Sequence, residues 1–243
     1  MKIIPLKEGD FSVSKTKDFT LLTQENFNIT TGIKISVQPF LIITAKDYIL
    51  LDAGAGWKNE NGKTIISEIL KKENIHPGQI TKVLLSHLHK DHIAGSMVFT
   101  DNGIEPAFPN AKIYMQEREL DFAMQNKGNP SFDFDILEKL IRLPDIVWMK
   151  DDKGMITDEI TFEVAGGHTP FMQVFWIREN TETVFYGADD LPQESYLKYH
   201  VAYKNDYDGR KAMELRQKWQ KEAAENHWKV LLYHDLEKDV LEF

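Results

Sequence analysis

The 243-residue chain has no cysteine. That single absence removes disulfide scaffolds, thiolate zinc sites and cysteine nucleophiles together. Long apolar runs are missing too. The longest, Phe40–Thr44 and Tyr48–Leu51, fall far short of the roughly 20 residues a membrane-spanning helix needs. The opening stretch MKIIPLKEGDFSVSK turns polar within a few residues and lacks the apolar core and small-residue end of a secretory signal, so a cytoplasmic location is the default expectation. Positive charge is the minority: 29 Lys and Arg against 38 Asp and Glu leave a net charge of −9. Such a balance repels phosphate backbones and makes nucleic acid a poor first partner. Repeats, low-complexity tracts and long Pro/Gly/Ser linkers are absent as well.

What is present is ordinary globular material, 42% hydrophobic and 28% charged, and the simplest organisation is one domain over 1–243. Short β-rich runs at Ile35–Thr44 and Tyr48–Asp52, separated by the polar Ala45-Lys46-Asp47 turn, predict paired strands, with Pro39 marking a bulge or edge. Periodicity predicts a helix over Thr64–Lys72, with Ile65, Ile66, Ile69 and Leu70 on one face. Pro77-Gly78 breaks the chain, and Lys82–Ser86 reads as a short buried strand. Further strands are predicted at Lys112–Met115, Ile160–Val164, Val174–Ile177, Thr183–Tyr186 and Lys229–Tyr233. Helices are predicted at about Gln116–Gln125, Asp135–Ile141 and Gly209–Asn226. Strand groups interleaved with single helices imply a layered α/β arrangement.

The chemistry concentrates in Ser86-His87-Leu88-His89-Lys90-Asp91-His92-Ile93-Ala94-Gly95, directly after the apolar Val83-Leu84-Leu85. In an extended backbone His87 and His89 point the same way, because side chains alternate with period two. Asp91 and His92 follow where the chain bends, aimed at a neighbouring position. Three imidazoles and a carboxylate within six residues suit a borderline cation such as zinc. The chain has only eight histidines, so a chance cluster of this density is improbable.

The pattern His-X-His-X-Asp-His-X-X-Gly after an apolar strand resembles the signature of the metallo-β-lactamase superfamily. Other pieces follow in order: Leu51-Asp52-Ala53-Gly54, Gly167-His168-Thr169-Pro170, Tyr186-Gly187-Ala188-Asp189-Asp190-Leu191-Pro192 and Tyr233-His234-Asp235. The resemblance implies an αββα sandwich, two mixed sheets with helices on the outer faces and a metal site at one edge. It implies two divalent ions, zinc first, with manganese or iron as alternatives. Carried over, His87, His89 and His168 would hold one ion; Asp91, His92 and His234 would hold the other; Asp189 would bridge them. Asp52 would fix the histidine loop by hydrogen bonds or serve simply as a turn-former. Spacing to Pro192 favours Asp189 over Asp190 as the bridge, leaving Asp190 to brace the loop. His76, His200 and His227 read as ordinary surface or helix residues. One departure is visible: many relatives continue Gly-His-Thr-Pro with glycine, where this chain has Phe171.

The implied activity is hydrolysis by a metal-bridging hydroxide, with Asp91 and Asp189 as catalytic residues. Zinc β-lactamases with a cysteine ligand are excluded by composition, and di-iron relatives carry glutamate where this chain has His89. Nuclease relatives fit the charge poorly. Glyoxalase II relatives stay open, although no basic cluster suits an acidic thioester. The expectation is cleavage of a lactone or related ester, with phosphotriester hydrolysis or a non-catalytic metal-binding scaffold as alternatives. Some lactonase relatives place a tyrosine where this chain has Pro192, which weakens that assignment; one of Tyr186, Tyr196, Tyr199 and Tyr203 could supply an oxyanion donor instead, with most of them packing residues. Phe99–Phe108 and Asn126–Pro144 are expected to line the pocket, with Phe132, Phe134 and Trp148 as an acyl wall or plain core aromatics. The expected partner is a small-molecule substrate, with a homodimer as an open option and neither nucleic acid nor membrane expected.

Overall fold

The computed structural model describes residues 1–100 and 103–243. Alternation along the early strands builds its central layers. Phe40, Ile42, Ile49 and Leu51 belong to one buried cluster with Phe175, Ile177, Val184 and Tyr186. The residues between them, Leu41 and Leu50, belong to a second cluster with Val83, Ile66, Leu70, Ala123 and Leu137. Successive side chains thus serve opposite faces of one sheet. The inner face meets a second sheet; the outer face meets helices.

The first sheet orders Lys2–Pro5, Phe40–Ile43, Tyr48–Leu51, Lys82–Leu84, Lys112–Gln116 and Ile146–Met149. Its first three strands are antiparallel and the rest parallel. Helices Ile65–Lys72, Glu117–Gln125 and Phe134–Leu140 cover its outer face. The second sheet orders Lys153–Met155, Ile160–Val164, Gln173–Glu179, Glu182–Tyr186, Lys229–Leu231 and Val240–Glu242. Helix Gly209–Asn226 covers its outer face, where Trp219 packs 5.0 Å from the Phe185 ring. The result is the predicted αββα sandwich. No helix among the described residues is long and apolar enough to cross a membrane.

The run Ile35–Thr44 is not one strand. It divides at Gln38-Pro39 into Ile33–Val37, which belongs to a separate three-stranded sheet, and Phe40–Ile43 in the first sheet. Proline has no N–H for a ladder, so it sits where the chain crosses from one sheet to the other. The small sheet also holds Gly9–Val13 and Phe19–Leu21, strands within the polar N-terminal stretch. Neither these strands nor Lys2–Pro5 carry enough local pattern to be predicted. Lys2–Pro5 and Gly9–Val13 are stabilised by pairing with distant residues, for example Lys2 with Ile43 and Val13 with Ile33, and Phe19–Leu21 pairs in turn with Gly9–Val13.

Candidate metal centre

The site forms where strand Lys82–Leu84 ends. Val83, Leu84 and Leu85 are buried, and the chain emerges as Ser86–His89 before turning into the short helix Lys90–Ile93. Ala53 N–H donates to the His92 carbonyl (2.7 Å) and Gly95 N–H to the Gly54 carbonyl (3.0 Å). A β-carbon at Gly95 would collide with the Ala53 carbonyl oxygen, so only glycine lets this helix end meet that loop.

All seven residues predicted to hold metal converge here, in two clusters. In the first, His87 Nε2 lies 3.0 Å from His89 Nδ1, which lies 3.2 Å from His168 Nε2. In the second, Asp91 Oδ2 lies 3.9 Å from His92 Nε2 and 3.8 Å from His234 Nε2. Asp189 faces both. Its Oδ2 is 3.3 Å from His168 Nε2 and 4.0 Å from His87 Nε2, while its Oδ1 is 3.3 Å from His92 Nε2 and 3.2 Å from His234 Nε2.

The outer hydrogen bonds assign the imidazole tautomers. His92 Nδ1 donates to Asp52 Oδ2 (2.7 Å), His168 Nδ1 to Asp206 Oδ1 (2.8 Å) and His234 Nδ1 to the Ser36 carbonyl (2.6 Å). Ser86 Oγ–H is committed to Asp52 (2.7 Å), so His87 Nδ1–H donates to Ser86 Oγ (3.0 Å). Each of these four rings therefore turns an Nε2 lone pair inward, and His89 turns Nδ1. Among the described residues, His92 Nε2 and Asp189 Oδ1 are buried without a hydrogen-bond partner. Lone pairs converging on two points, with orphaned donor atoms between them, fit divalent cations.

Electrostatics agree. Burial pushes the His87 and His89 pKa values well below the usual histidine range, keeping them in the neutral form that ligates. Burial also opposes charge on His92 and His168, but Asp189 with Asp52 in one case and Asp206 in the other outweighs it and raises both. His234, His92 and His168 overcome burial at Asp189 and hold its carboxyl well below the usual range. A bound cation would take the place of any proton on these inward nitrogens.

Asp52 and Asp190 hold the histidine loops from behind, Asp190 bracing the earlier Gly167-His168 loop and not the one that follows it. Asp52 is fully buried and accepts four bonds, from Ser86 N and Oγ, His92 Nδ1 and Tyr186 OH (2.6 Å). Asp190 accepts from His168 N–H (2.6 Å), and burial pushes it up to about 7. A side chain at Gly167 would strike the Asp190 carboxylate, hence the glycine of Gly-His-Thr. Glu8, buried and pushed up by burial to about 7, accepts from Ala55 N (2.6 Å) and Trp57 N (3.0 Å), pinning the loop after Asp52. Neither Glu8 nor Asp206 lies in a patterned segment, so neither carries a local signal. Phe171, in place of glycine, still turns, donating its N–H to the buried Glu119 (3.2 Å) while Arg118 lies over its ring. His76, His200 and His227 lie outside the cluster. His76 caps the turn Pro77–Gln79, and the other two end helices in left-handed conformations.

Several expectations about the pocket need correction. The cleft over the cluster, about 200 Å³, is lined by Val13, Phe19, Ile33 and Ile35 of the small sheet. An adjoining lobe takes only Asn129, Pro130 and Ser131 from the segment 126–144. Phe99 and Phe108 line a different cavity, beside Ile66 and Leu70, and Asp101 and Asn102 within that segment lie outside the described residues. Phe132 is buried with its ring 5.0 Å from that of His89, Phe134 packs on the helix-side core and Trp148 sits on an edge strand. Tyr186 is buried with its hydroxyl spent on Asp52, and Tyr199 is 70% exposed outside the cleft. Of the four tyrosines, Tyr196 and Tyr203, stacked at 4.3 Å, line it.

The family model of the metallo-β-lactamase superfamily matches residues 35–234. The chain belongs to that superfamily. No curated protein matches at a significant level. Among solved structures, a probable metal-dependent hydrolase from Staphylococcus aureus aligns with TM-score 0.77 and 18% identity, over 99% of this chain and 91% of its own. A dizinc quorum-quenching lactonase with a bound N-acyl-homoserine product aligns at 0.70 and 22%, over 98% and 88%. An N-acyl homoserine lactone hydrolase, with its product at the catalytic metal centre, aligns at 0.69 and 18%, over 97% and 94%. At these identities the likeness is one of fold.

The bond from His168 gives Asp206 a checkable role. A carboxylate holding the far nitrogen of a ligating histidine fixes the ring and raises its basicity, and its loss costs about 10–100-fold in metal affinity. Asp206→Ala is expected to weaken metal binding by that factor in a chelator-competition titration, with the fold unchanged by circular dichroism. An unchanged titration would mean that Asp206 does not orient His168.

Proposed function

We propose that the chain is a dinuclear metal-dependent hydrolase that cleaves lactones or related carboxylic esters. His87, His89 and His168 would hold one ion, and Asp91, His92 and His234 the other. Asp189, with one oxygen toward each cluster, is the observation that carries the dinuclear reading. Five imidazoles and two carboxylates without a thiolate suit zinc first, then manganese or iron. When bound, such ions supply Lewis acidity and bring the pKa of a coordinated water toward neutrality.

The chain's own residues supply the rest. Asp91 borders the cleft, so it can take the proton released as water adds to the carbonyl and return it to the departing alcohol oxygen. Ester and water thus become acid and alcohol with no other reactant. Tyr196 and Tyr203 line the cleft and would offer a hydroxyl to the carbonyl oxygen, and the small sheet's apolar residues form one wall of it. Two fold relatives described as N-acyl homoserine lactone-cleaving enzymes support the preference for a carbonyl centre.

Elemental analysis after zinc or manganese loading is expected to approach two equivalents per chain. Chelation is expected to abolish turnover of lactones and aryl esters, which should exceed that of phosphodiesters widely. A plateau at one equivalent that His234→Ala leaves unchanged would overturn the dinuclear assignment. Preference for phosphodiesters or phosphotriesters would overturn the reaction class, and silence on every class would favour a metal-binding scaffold.

A further inference from the structure

The cleft has a cationic rim that no single stretch of sequence encodes. Lys17, Lys90 and Lys204 all line the cavity that contains His89, Asp91, His168, Asp189 and His234. They come from three separate segments: the turn before strand Phe19–Leu21, the histidine motif itself, and the segment before helix Gly209–Asn226. Lys17 stands in a left-handed conformation, φ 60°, which costs a non-glycine residue about 1 kcal/mol. The turn is held by hydrogen bonds from Ser14 N to the Asp18 carbonyl (3.0 Å) and from Lys17 N to the Ser14 carbonyl (3.1 Å). Lys17 lines the same cavity as His89. Lys90 extends over the Phe19 ring, 5.8 Å from its centroid, so its ammonium overhangs the apolar wall.

Among the described residues none of the three ammonium groups lies within 4.0 Å of a carboxylate. Asp18, which feels Lys90, is already held by the Ser14 and Thr16 hydroxyls. The carboxylates inside the cleft are also committed. Asp91 and Asp189 face the metal clusters, and Asp206 accepts from His168. With cations bound, the three lysines are surplus positive charge around a cavity that has one apolar wall, in a protein of net charge −9.

We propose that this rim receives an anionic group at the non-reacting end of the substrate. The ester or lactone carbonyl would sit at the metal centre, its apolar middle would lie along Val13, Phe19, Ile33 and Ile35, and a remote anion would meet the lysines. This rests on the hydrolase reading and narrows it to charged substrates, against the direction suggested by the overall charge. A local cluster decides over net charge here, because exposed charges beyond a Debye length of about 8–10 Å are largely screened.

Matched esters test it: mono-4-nitrophenyl adipate, with a remote carboxylate, against 4-nitrophenyl hexanoate. Exposed ion pairs are worth roughly twofold to fivefold each, so three should favour the adipate ester by about tenfold in kcat/KM, mostly through KM. Raising salt from about 0.05 to 0.5 M should shrink that ratio. Lys17→Met, Lys90→Met and Lys204→Met should each lower it, and the triple variant should bring it near one. A third ester ending in phosphonate distinguishes the kind of anion, the larger ratio marking the better match. Calorimetry of adipate and hexanoate binding to metal-loaded protein gives a readout independent of turnover, and metal content with circular dichroism verifies the variants. Turnover of all esters at equal efficiency, insensitive to the lysines, would overturn the anionic rim and leave the hydrolase standing. Lysine-dependent adipate binding without turnover of any ester would overturn the hydrolase and leave the rim.

Discussion

Asp189→Asn is expected to retain at most one metal ion and to lose turnover by more than about a hundredfold, beyond the cost of losing an outer-shell partner. The substitution keeps the shape but replaces one carboxylate oxygen with an amide nitrogen. Whichever cluster meets that nitrogen then faces a donor where it needs a lone pair, and the charge shared by both clusters is gone. His92 Nε2 and His234 Nε2 stand 3.3 and 3.2 Å from one oxygen, and His168 Nε2 stands 3.3 Å from the other, so neither orientation of the amide serves both. Asp190→Asn is expected to keep both metals, because its remaining oxygen can still accept from His168 N–H. Elemental analysis of the two variants decides between them. Metal loss in Asp190→Asn with retention in Asp189→Asn would show that the bridge lies one residue on.

Asp52→Ala is expected to be the most damaging substitution away from the metal-facing atoms. It strands Ser86 N–H and Oγ–H, the His92 Nδ1–H and the Tyr186 hydroxyl in a region with no exposed surface. Each unpaired buried group costs about 1–3 kcal/mol, and relaxation makes the sum less than additive, so a net loss of about 3–5 kcal/mol is expected. For a domain of this size that is a fall in Tm of about 10 °C. Measuring it in chelator separates the effect from lost metal binding. A shift below about 2 °C would mean that Asp52 is only a turn residue. Its left-handed backbone, φ 54°, shows that it serves as a turn residue as well.

The boundary between local and distant information explains which features were legible. The helices Ile65–Lys72 and Gly209–Asn226, the hairpin of Phe40–Ile43 with Tyr48–Leu51 and the buried strand before His87 follow from hydrophobic period and turn residues within a dozen positions. The seven converging residues were legible because metal-binding side chains cluster in short ordered motifs, and that spacing survives folding. By itself, then, the sequence determined the layered α/β class and which seven residues converge. Tertiary structure alone decided what surrounds that set. Gly9–Val13 and Phe19–Leu21 show little alternation; their strands exist because Ile33–Val37 pairs with the first and closes the sheet. That sheet supplies the cleft's apolar wall and the Ser36 carbonyl that orients His234. Asp206 meets His168 across 38 residues, and Lys17, Lys90 and Lys204 share one rim although far apart in the chain. Such contacts are set by how sheets stack and loops close, energies that accrue only once distant segments have met, so no local pattern records them.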